Sequence, residues 1–194
     1  MTKSIDFYFD FISPYSYLAH KKIKDIKEKR DINFNYKPVL VGGLHNLQGI
    51  TAPAFIKSKL KHMINDCNLI AKKDKFSFTW NSKFPINSLN IMRGYILFND
   101  DIKNLYLDIM FDAYWKDNLD ISSDEILITL LKKHNINSNN YFEGIKNQKI
   151  KDKLKDLTQS AHNKEIFGTP TFVVNNKIFW GQDRLDFALD EYNK

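Results

Sequence analysis

The sequence predicts an α/β fold, and three observations carry that reading. Near the start, Ile5, Phe7, Phe9 and Phe11 alternate with Asp6, Tyr8 and Asp10, and apolar residues at period two mark a strand. Ser13-Pro14 follows, joining a favoured helix N-cap to a favoured first helical residue. Near the end, Thr171 to Val174 and Lys177 to Trp180 are short β-branched and aromatic runs separated by Asn175-Asn176. Asparagine tolerates the positive φ of a two-residue hairpin turn, so the pair reads as a hairpin.

The remaining elements follow in chain order. Tyr15, Leu18, Ala19, Ile23 and Ile26 recur at helical spacing, so one face of the first helix is buried. Phe34, Tyr36, Val39 and Leu40 predict a second strand that ends at Gly42-Gly43. Together these make a β-α-β unit with parallel strands. Between roughly residues 44 and 160 helix signals dominate, with amphipathic runs from Asn87 to Phe98 and from Leu105 to Trp115. Ser122 and Glu125 predict a capping box ahead of Ile126, Leu127, Leu130 and Leu131. The polar, Lys-rich stretch Ser138 to Asn163 reads as a surface helix pair. After the hairpin, Gly181-Gln182-Asp183 leads into a helix over Arg184 to Tyr192, with Asp183 as candidate N-cap. A β-α-β start, a β-β-α finish and a helical block between them is the layout of a thioredoxin-like fold with an inserted all-helical domain. Residues 1–43 and 161–194 form the thioredoxin-like part of this reading, and residues 44–160 the insert.

Composition removes several function classes. Cys67 is the one cysteine in 194 residues, which excludes an internal disulfide, a CxxC redox pair and a multi-cysteine zinc site. Its place in an apolar helix pattern marks it as a buried structural thiol. The net charge is +6, but the lysines are interleaved with acids, as in DIKEKRD and KIKDKLKDL. That pattern describes solvated helix faces, so no nucleic-acid partner is expected, while a small anionic ligand suits the same charge. No apolar run approaches the roughly 18 residues of a membrane span. The opening MTKSIDFYFDF lacks the basic and apolar regions of a secretory leader. The expectation is a cytoplasmic protein. None of the five histidines sits in a His-x-x-x-His or His-x-x-Glu-His arrangement, so no metal is expected.

Two spots carry chemical interest. One is the turn Phe11-Ile12-Ser13-Pro14-Tyr15-Ser16 between the first strand and the first helix. A helix N-terminus presents unpaired N–H groups and the positive end of the dipole, and it stabilises a thiolate placed there. A serine hydroxyl at that point can donate one further bond to the sulfur, or it can simply cap the helix. The other spot is Phe167-Gly168-Thr169-Pro170-Thr171. A cis Thr169–Pro170 bond would turn the Thr169 backbone outward to pair with an extended peptide; the plainer reading is an ordinary edge-strand proline.

FDFISPYSYLAHKKI near the start and FGTPTFVVNNKIFWGQDRLDFAL near the end resemble the 2-hydroxychromene-2-carboxylate isomerase family. That family is related to the kappa-class glutathione transferases and to DsbA-like thioredoxin-fold proteins. YKPVLVGGL, HMINDCN, FPINSLNIMRGY and FDAYWKDNLDIS match its landmarks in order, so the resemblance covers nearly the whole chain. It implies a DsbA-like fold, glutathione as cofactor, a small aromatic or conjugated carboxylate as substrate, and a homodimer. Ser13 falls on the family's catalytic serine, where DsbA-type relatives carry the first cysteine of CxxC. Pro14 and Tyr15 continue that motif. Thr169 and Pro170 match the cis-proline loop that binds the cysteinyl backbone of glutathione. Gln182 and Asp183 match the pair at its γ-glutamyl end, and Lys59 a basic contact to the tripeptide. Asn87 and Arg93 are candidates on the substrate side. Asn87 reads equally as a helix N-cap, and Arg93 as the partner of a nearby acid. Trp115, with Tyr114, is a candidate apolar wall or a core residue. The sequence departs from the family in one place: Gly49-Ile50 stands where the family often has Gly-Asn, and the nearest asparagine is Asn46.

The resemblance implies an isomerase in which a thiolate adds reversibly to a conjugated carbon and glutathione is returned. A kappa-class-like transferase, in which the adduct is the product, and a non-catalytic module binding thiols or peptides are the alternatives on the same fold.

Overall fold

The computed structural model describes residues 3–194, so the first two residues of the expected segment 1–43 lie outside it. The chain runs β1 (Ile5–Phe9), α1 (Pro14–Lys27), β2 (Phe34–Pro38), α2 (Val41–Gln48) and α3 (Lys57–Asp74). It continues through α4 (Leu89–Leu97), α5 (Asp100–Trp115), α6 (Asp124–Lys133), α7 (Ser138–Gly144) and α8 (Gln148–Asn163). It closes with β3 (Thr171–Val174), β4 (Lys177–Trp180) and α9 (Leu185–Tyr192). The strand order is β2-β1-β3-β4. β1 and β2 are parallel, with Phe7 opposite Tyr36. β3 runs antiparallel to β1, with Tyr8 opposite Thr171, and pairs with β4 through the hairpin. Asn175 and Asn176 both have positive φ, as the two-residue turn requires.

The period-two pattern sorts side chains between two layers. Ile5, Phe7, Phe9 and Phe172 point into the main core with Leu18 and Ile23 of α1 and Leu185 and Leu189 of α9. Phe7 stacks on Phe172 at 5.3 Å, and Phe11 meets the Phe111 ring edge-on at 4.9 Å. Tyr8 and Val173, of opposite parity, meet Val39, Leu44, Ala161 and Ile166 on the other face. α8 is therefore not only a surface helix: Leu154, Thr158 and Ala161 are buried. The expected bounds at residues 44 and 160 fall inside α2 and α8.

Three local expectations are corrected. β2 stops at Pro38, and α2 begins at Val41 and runs through Gly42-Gly43. The parity of Phe34 and Tyr36 is broken at Val39. The next two amides leave the sheet: Leu40 N–H donates to Thr158 Oγ1 and Val41 N–H to Asp10 Oδ2. Ser122 bonds back to Asp120 instead of forming a capping box, and Ser123 is the N-cap of α6. Asp183 lies within a 3-10 turn, Gln182–Arg184, and its carboxylate pairs with Arg184, so α9 starts without a side-chain cap. A second cis bond, Phe84–Pro85, accompanies the cis Thr169–Pro170 bond and was not foreseen.

The helical block is fastened to the sheet layer by buried polar contacts. His20 of α1 faces Asp108 of α5 at 2.7 Å through Nε2, and the Tyr36 hydroxyl at 2.8 Å through Nδ1. Burial lowers the His20 pKa despite the carboxylate, so the ring is neutral, donating to Asp108 and accepting from Tyr36. Burial alone would raise Asp108. The hydrogen bonds from His20 and Lys24 outweigh it and hold the carboxyl at about 2.

Gly94 tests the packing between α4, α5 and α7. A Cβ there would run into the Tyr106 hydroxyl and the Tyr141 ring, whereas one at Gly42 meets nothing within 4 Å. Gly94→Ala is therefore expected to lower unfolding free energy by about 1–3 kcal/mol. Gly42→Ala, inside a helix, is expected to be neutral or stabilising by roughly 0.5–1 kcal/mol. Urea denaturation of the two variants checks the contrast.

Candidate active site

The turn after β1 is held from several directions. Asp10, 1% exposed, ends the strand. One carboxylate oxygen accepts from Ile12 N–H at 3.2 Å and the other from Val41 N–H at 2.9 Å, and the Ser88 side chain lies beside the same carboxylate. One side chain thus joins the turn, the start of α2 and the start of α4. Phe11 is fixed through its carbonyl, which accepts from Trp115 Nε1 at 2.8 Å. Burial pushes the Asp10 carboxyl up to about 6, although its hydrogen bonds pull the other way. Sequence reading overlooked Asp10. The signal was an Asp two residues before an N–H it can accept, the pattern of an Asx turn.

Ser13 caps α1. Its Oγ accepts from Ser16 N–H at 3.2 Å, as expected of the N-cap. The hydroxyl also donates to the Thr169 carbonyl at 3.0 Å, a contact between residues 156 apart. No acid sits in the first turn of α1, so the positive helix end is uncompensated. Pro14 has no N–H to offer, and Tyr15 N–H has no partner among the described residues. The Thr169 Oγ1 and Ser16 Oγ hydroxyls are likewise buried without partners. The site is a nearly enclosed serine between a helix N-terminus and a cis-proline loop, with unused donors around it.

The other expected residues divide between this place and elsewhere. Gln182 is buried and accepts from Lys22 at 2.7 Å, close to the β3–β4 end through Gly181, whose N–H bonds to the Pro170 carbonyl. Asp183 is exposed and pairs with Arg184. The Tyr15 hydroxyl donates to Asp66 of α3 at 2.8 Å. Lys59, exposed on α3, lies two turns before Asp66 and so on the same helix face, the one turned toward α1. Asn87 is exposed and accepts from Leu89 N–H, so it serves the start of α4. Arg93 pairs with no acid among the described residues, and its Nε is buried without a partner. Trp115 is fully enclosed by Phe78, Trp80, Phe84 and Tyr114, so its packing role is the one observed, and it touches the site only through the Phe11 carbonyl. Ile50 follows Gly49, the left-handed cap of α2, and is exposed, as is Asn46. Cys67 is buried on α3 with its thiol pushed up to about 12, chiefly by burial.

These features define a thioredoxin-like fold with a buried serine held between a helix N-terminus and a cis-proline loop. The chain belongs to the DsbA-like thioredoxin domain family, whose model matches residues 4–193. It is 28% identical to the 2-hydroxychromene-2-carboxylate isomerase of Sphingobium xenophagum, over 99% of this chain and 98% of that one. Human glutathione S-transferase kappa 1 is 21% identical over 96% of this chain and 89% of its own length. A solved structure of a 2-hydroxychromene-2-carboxylate isomerase superposes with a TM-score of 0.88 at 20% identity, covering 97% of this chain and 94% of the other, and so shares its fold.

The Asp10 geometry has a measurable consequence. Its folded pKa lies above the ordinary 3.8, so the native chain takes up a proton between about pH 4 and 6. The stability Asp10 contributes is present at low pH and is lost as pH rises through about 6. A carbon-detected NMR titration of the Asp10 carboxyl should give a midpoint near pH 6; a midpoint near 4 contradicts the burial argument.

Proposed function

We propose that this protein is a glutathione-dependent isomerase of the 2-hydroxychromene-2-carboxylate type. The observation that carries the reading is the buried Ser13 hydroxyl at the acid-free N-terminus of α1, 3.0 Å from the Thr169 carbonyl. The unpartnered Thr169 Oγ1 and Tyr15 N–H are the donors that a thiol ligand on the cis-proline loop would use, so the residues present fit glutathione. When bound, glutathione supplies a thiol that adds reversibly to an electron-poor carbon of a conjugated oxo-acid. Ser13 turns its hydroxyl proton from the Thr169 carbonyl to the sulfur, and the α1 N-terminus favours the anion. Pro14 leaves the first turn open, Thr169 and Pro170 hold the cysteinyl backbone, and Gln182 and Asp183 hold the γ-glutamyl end. Lys59 meets a carboxylate of the tripeptide. Arg93, with its guanidinium unpaired, meets the substrate carboxylate, and Asn87 adds a polar contact. Cys67, buried on another helix, supplies no second thiol to this site. The same reading makes the protein a cytoplasmic homodimer, working where glutathione is kept reduced.

The test is a glutathione titration of the wild type and Ser13→Ala, following thiolate absorbance between about pH 6 and 9. The expected bound thiol titrates below the ordinary value of about 8.5. Loss of one charge-assisted hydrogen bond, about 1.5–3 kcal/mol, raises it by roughly one to two units in the variant. An unshifted thiol, or no binding by the wild type, contradicts the proposal. The similarity to a kappa transferase supports a second reading. Product analysis with a conjugated oxo-acid separates the two: an isomerised product free of glutathione supports the isomerase, and a product retaining the glutathionyl group supports the transferase.

A further inference from the structure

We infer that the open edge of β2 is a docking groove for an extended, acidic peptide segment. β2 is an edge strand, paired on one side only. The direction of its unused backbone groups follows from two bonds. Ile5 N–H donates to the Asn33 carbonyl, and Val39 N–H donates to the Phe9 carbonyl. In a parallel ladder of that phase, the odd-numbered residues of β2 bond to β1, and Phe34, Tyr36 and Pro38 turn their backbone groups away from the sheet. By that phase the N–H and C=O groups of Phe34 and Tyr36 are not used by β1, and among the described residues no turn, loop or cap bonds to them. Pro38, which has no N–H, occupies an outward position, where an edge strand tolerates proline.

This edge does not face open solvent alone. It forms the floor of a cleft of about 550 Å³ that runs the length of β2, with Tyr95 and Lys103 on one wall and Lys153 and Leu157 of α8 on the other. A strand laid in the cleft would point alternate side chains to opposite faces of the sheet. Each face offers cations. Lys103, over the Tyr95 ring, lies on the side of the main core, and Lys27 ends α1. Lys37 shares the parity of Tyr8 and so lies on the side covered by α8, which contributes Lys153. Asp100 is the acid of the cleft and is already paired with Lys103, and Lys37 reaches Asp6 of β1 at 3.8 Å, while Lys27 and Lys153, one on each side, form no ion pair among the described residues. Unpaired amides at strand spacing, a walled cleft and lysines on both faces together select an extended chain with acidic side chains, joined by β-addition. The groove is distinct from the Ser13 site, and none of the residues assigned to that site lines it.

The probe is a fluorescently labelled eight-residue peptide of alternating valine and glutamate, titrated by anisotropy at low salt. Two further versions carry N-methyl groups on alternate amides, one on each edge of the peptide strand. Binding is expected for the parent and for one methylated version, and about tenfold or more weaker for the version whose pairing edge is blocked. Lys103→Glu combined with Lys153→Glu, both on the surface, is expected to weaken binding to a similar degree with an unchanged far-ultraviolet CD spectrum. Hydrogen exchange locates the contact, because the Phe34 and Tyr36 amides should become protected on binding. Equal binding of both methylated peptides would show adsorption by charge alone and overturn the proposal. So would unprotected Phe34 and Tyr36 amides, no binding at all, or occupation of the β2 edge by a second copy of this chain.

Discussion

The antiparallel pairing of β1 with β3 is the constraint on which the site depends. Tyr8 lies opposite Thr171, so the end of β1 and the residues before β3 must emerge side by side. From that register, the turn after β1 meets the cis-proline loop, and the Ser13 hydroxyl reaches the Thr169 carbonyl across 156 residues of sequence. A slip by one residue would exchange the faces of Phe7 and Tyr8 and separate the two loops. The aromatic layer of Phe7, Phe9 and Phe172 makes such a slip costly, because it would take three rings out of the main core and press them on the smaller cluster of Val39, Leu44, Ala161 and Ile166, which is packed around Tyr8 and Val173.

The helical block supplies what the sheet alone lacks. Asp10 is gripped by Val41, with Ser88 beside it, the Phe11 carbonyl by Trp115, and Tyr15 by Asp66. Each bond comes from a different element and ends within five residues of one another around Ser13. The turn is therefore preorganised by the helices that also form the neighbouring walls, and changes in their packing act on the serine without touching a ligand. The buried Asp10 is the costly member of this arrangement. Its negative charge is tolerated because two backbone N–H groups, of Ile12 and Val41, converge on it.

Much of the fold was legible in the sequence because its elements are marked by local chemistry. The aromatic alternation of β1, the Ser13-Pro14 cap and the Asn175-Asn176 turn each express a short-range preference that the tertiary structure keeps. The misread boundaries share another cause. Val39 and Leu40 look like strand residues, and Val39 N–H still reaches the Phe9 carbonyl, but the Leu40 amide is claimed by Thr158 as the chain enters α2. Ser122 has the spacing of a capping box, but Asp120 takes its hydroxyl first. The site was legible to the extent that it lies at helix and strand ends. Ser13 and the Thr169–Pro170 loop could be read from their own neighbours. Asp10 could not be ranked, since its partners Val41 and Ser88 are far away in sequence. The burial of Trp115 rests on rings from four other positions, which no local pattern encodes.

In the proposed function Ser13 offers its hydroxyl to a ligand thiolate in exchange for the Thr169 carbonyl. A crystal structure of the protein with glutathione tests it most directly. The sulfur is expected at the N-terminus of α1 within hydrogen-bond distance of Ser13 Oγ, with the Ser13–Thr169 bond broken and the cysteinyl backbone along Thr169. Glutathione bound elsewhere, or bound with Ser13 still donating to Thr169, would contradict it.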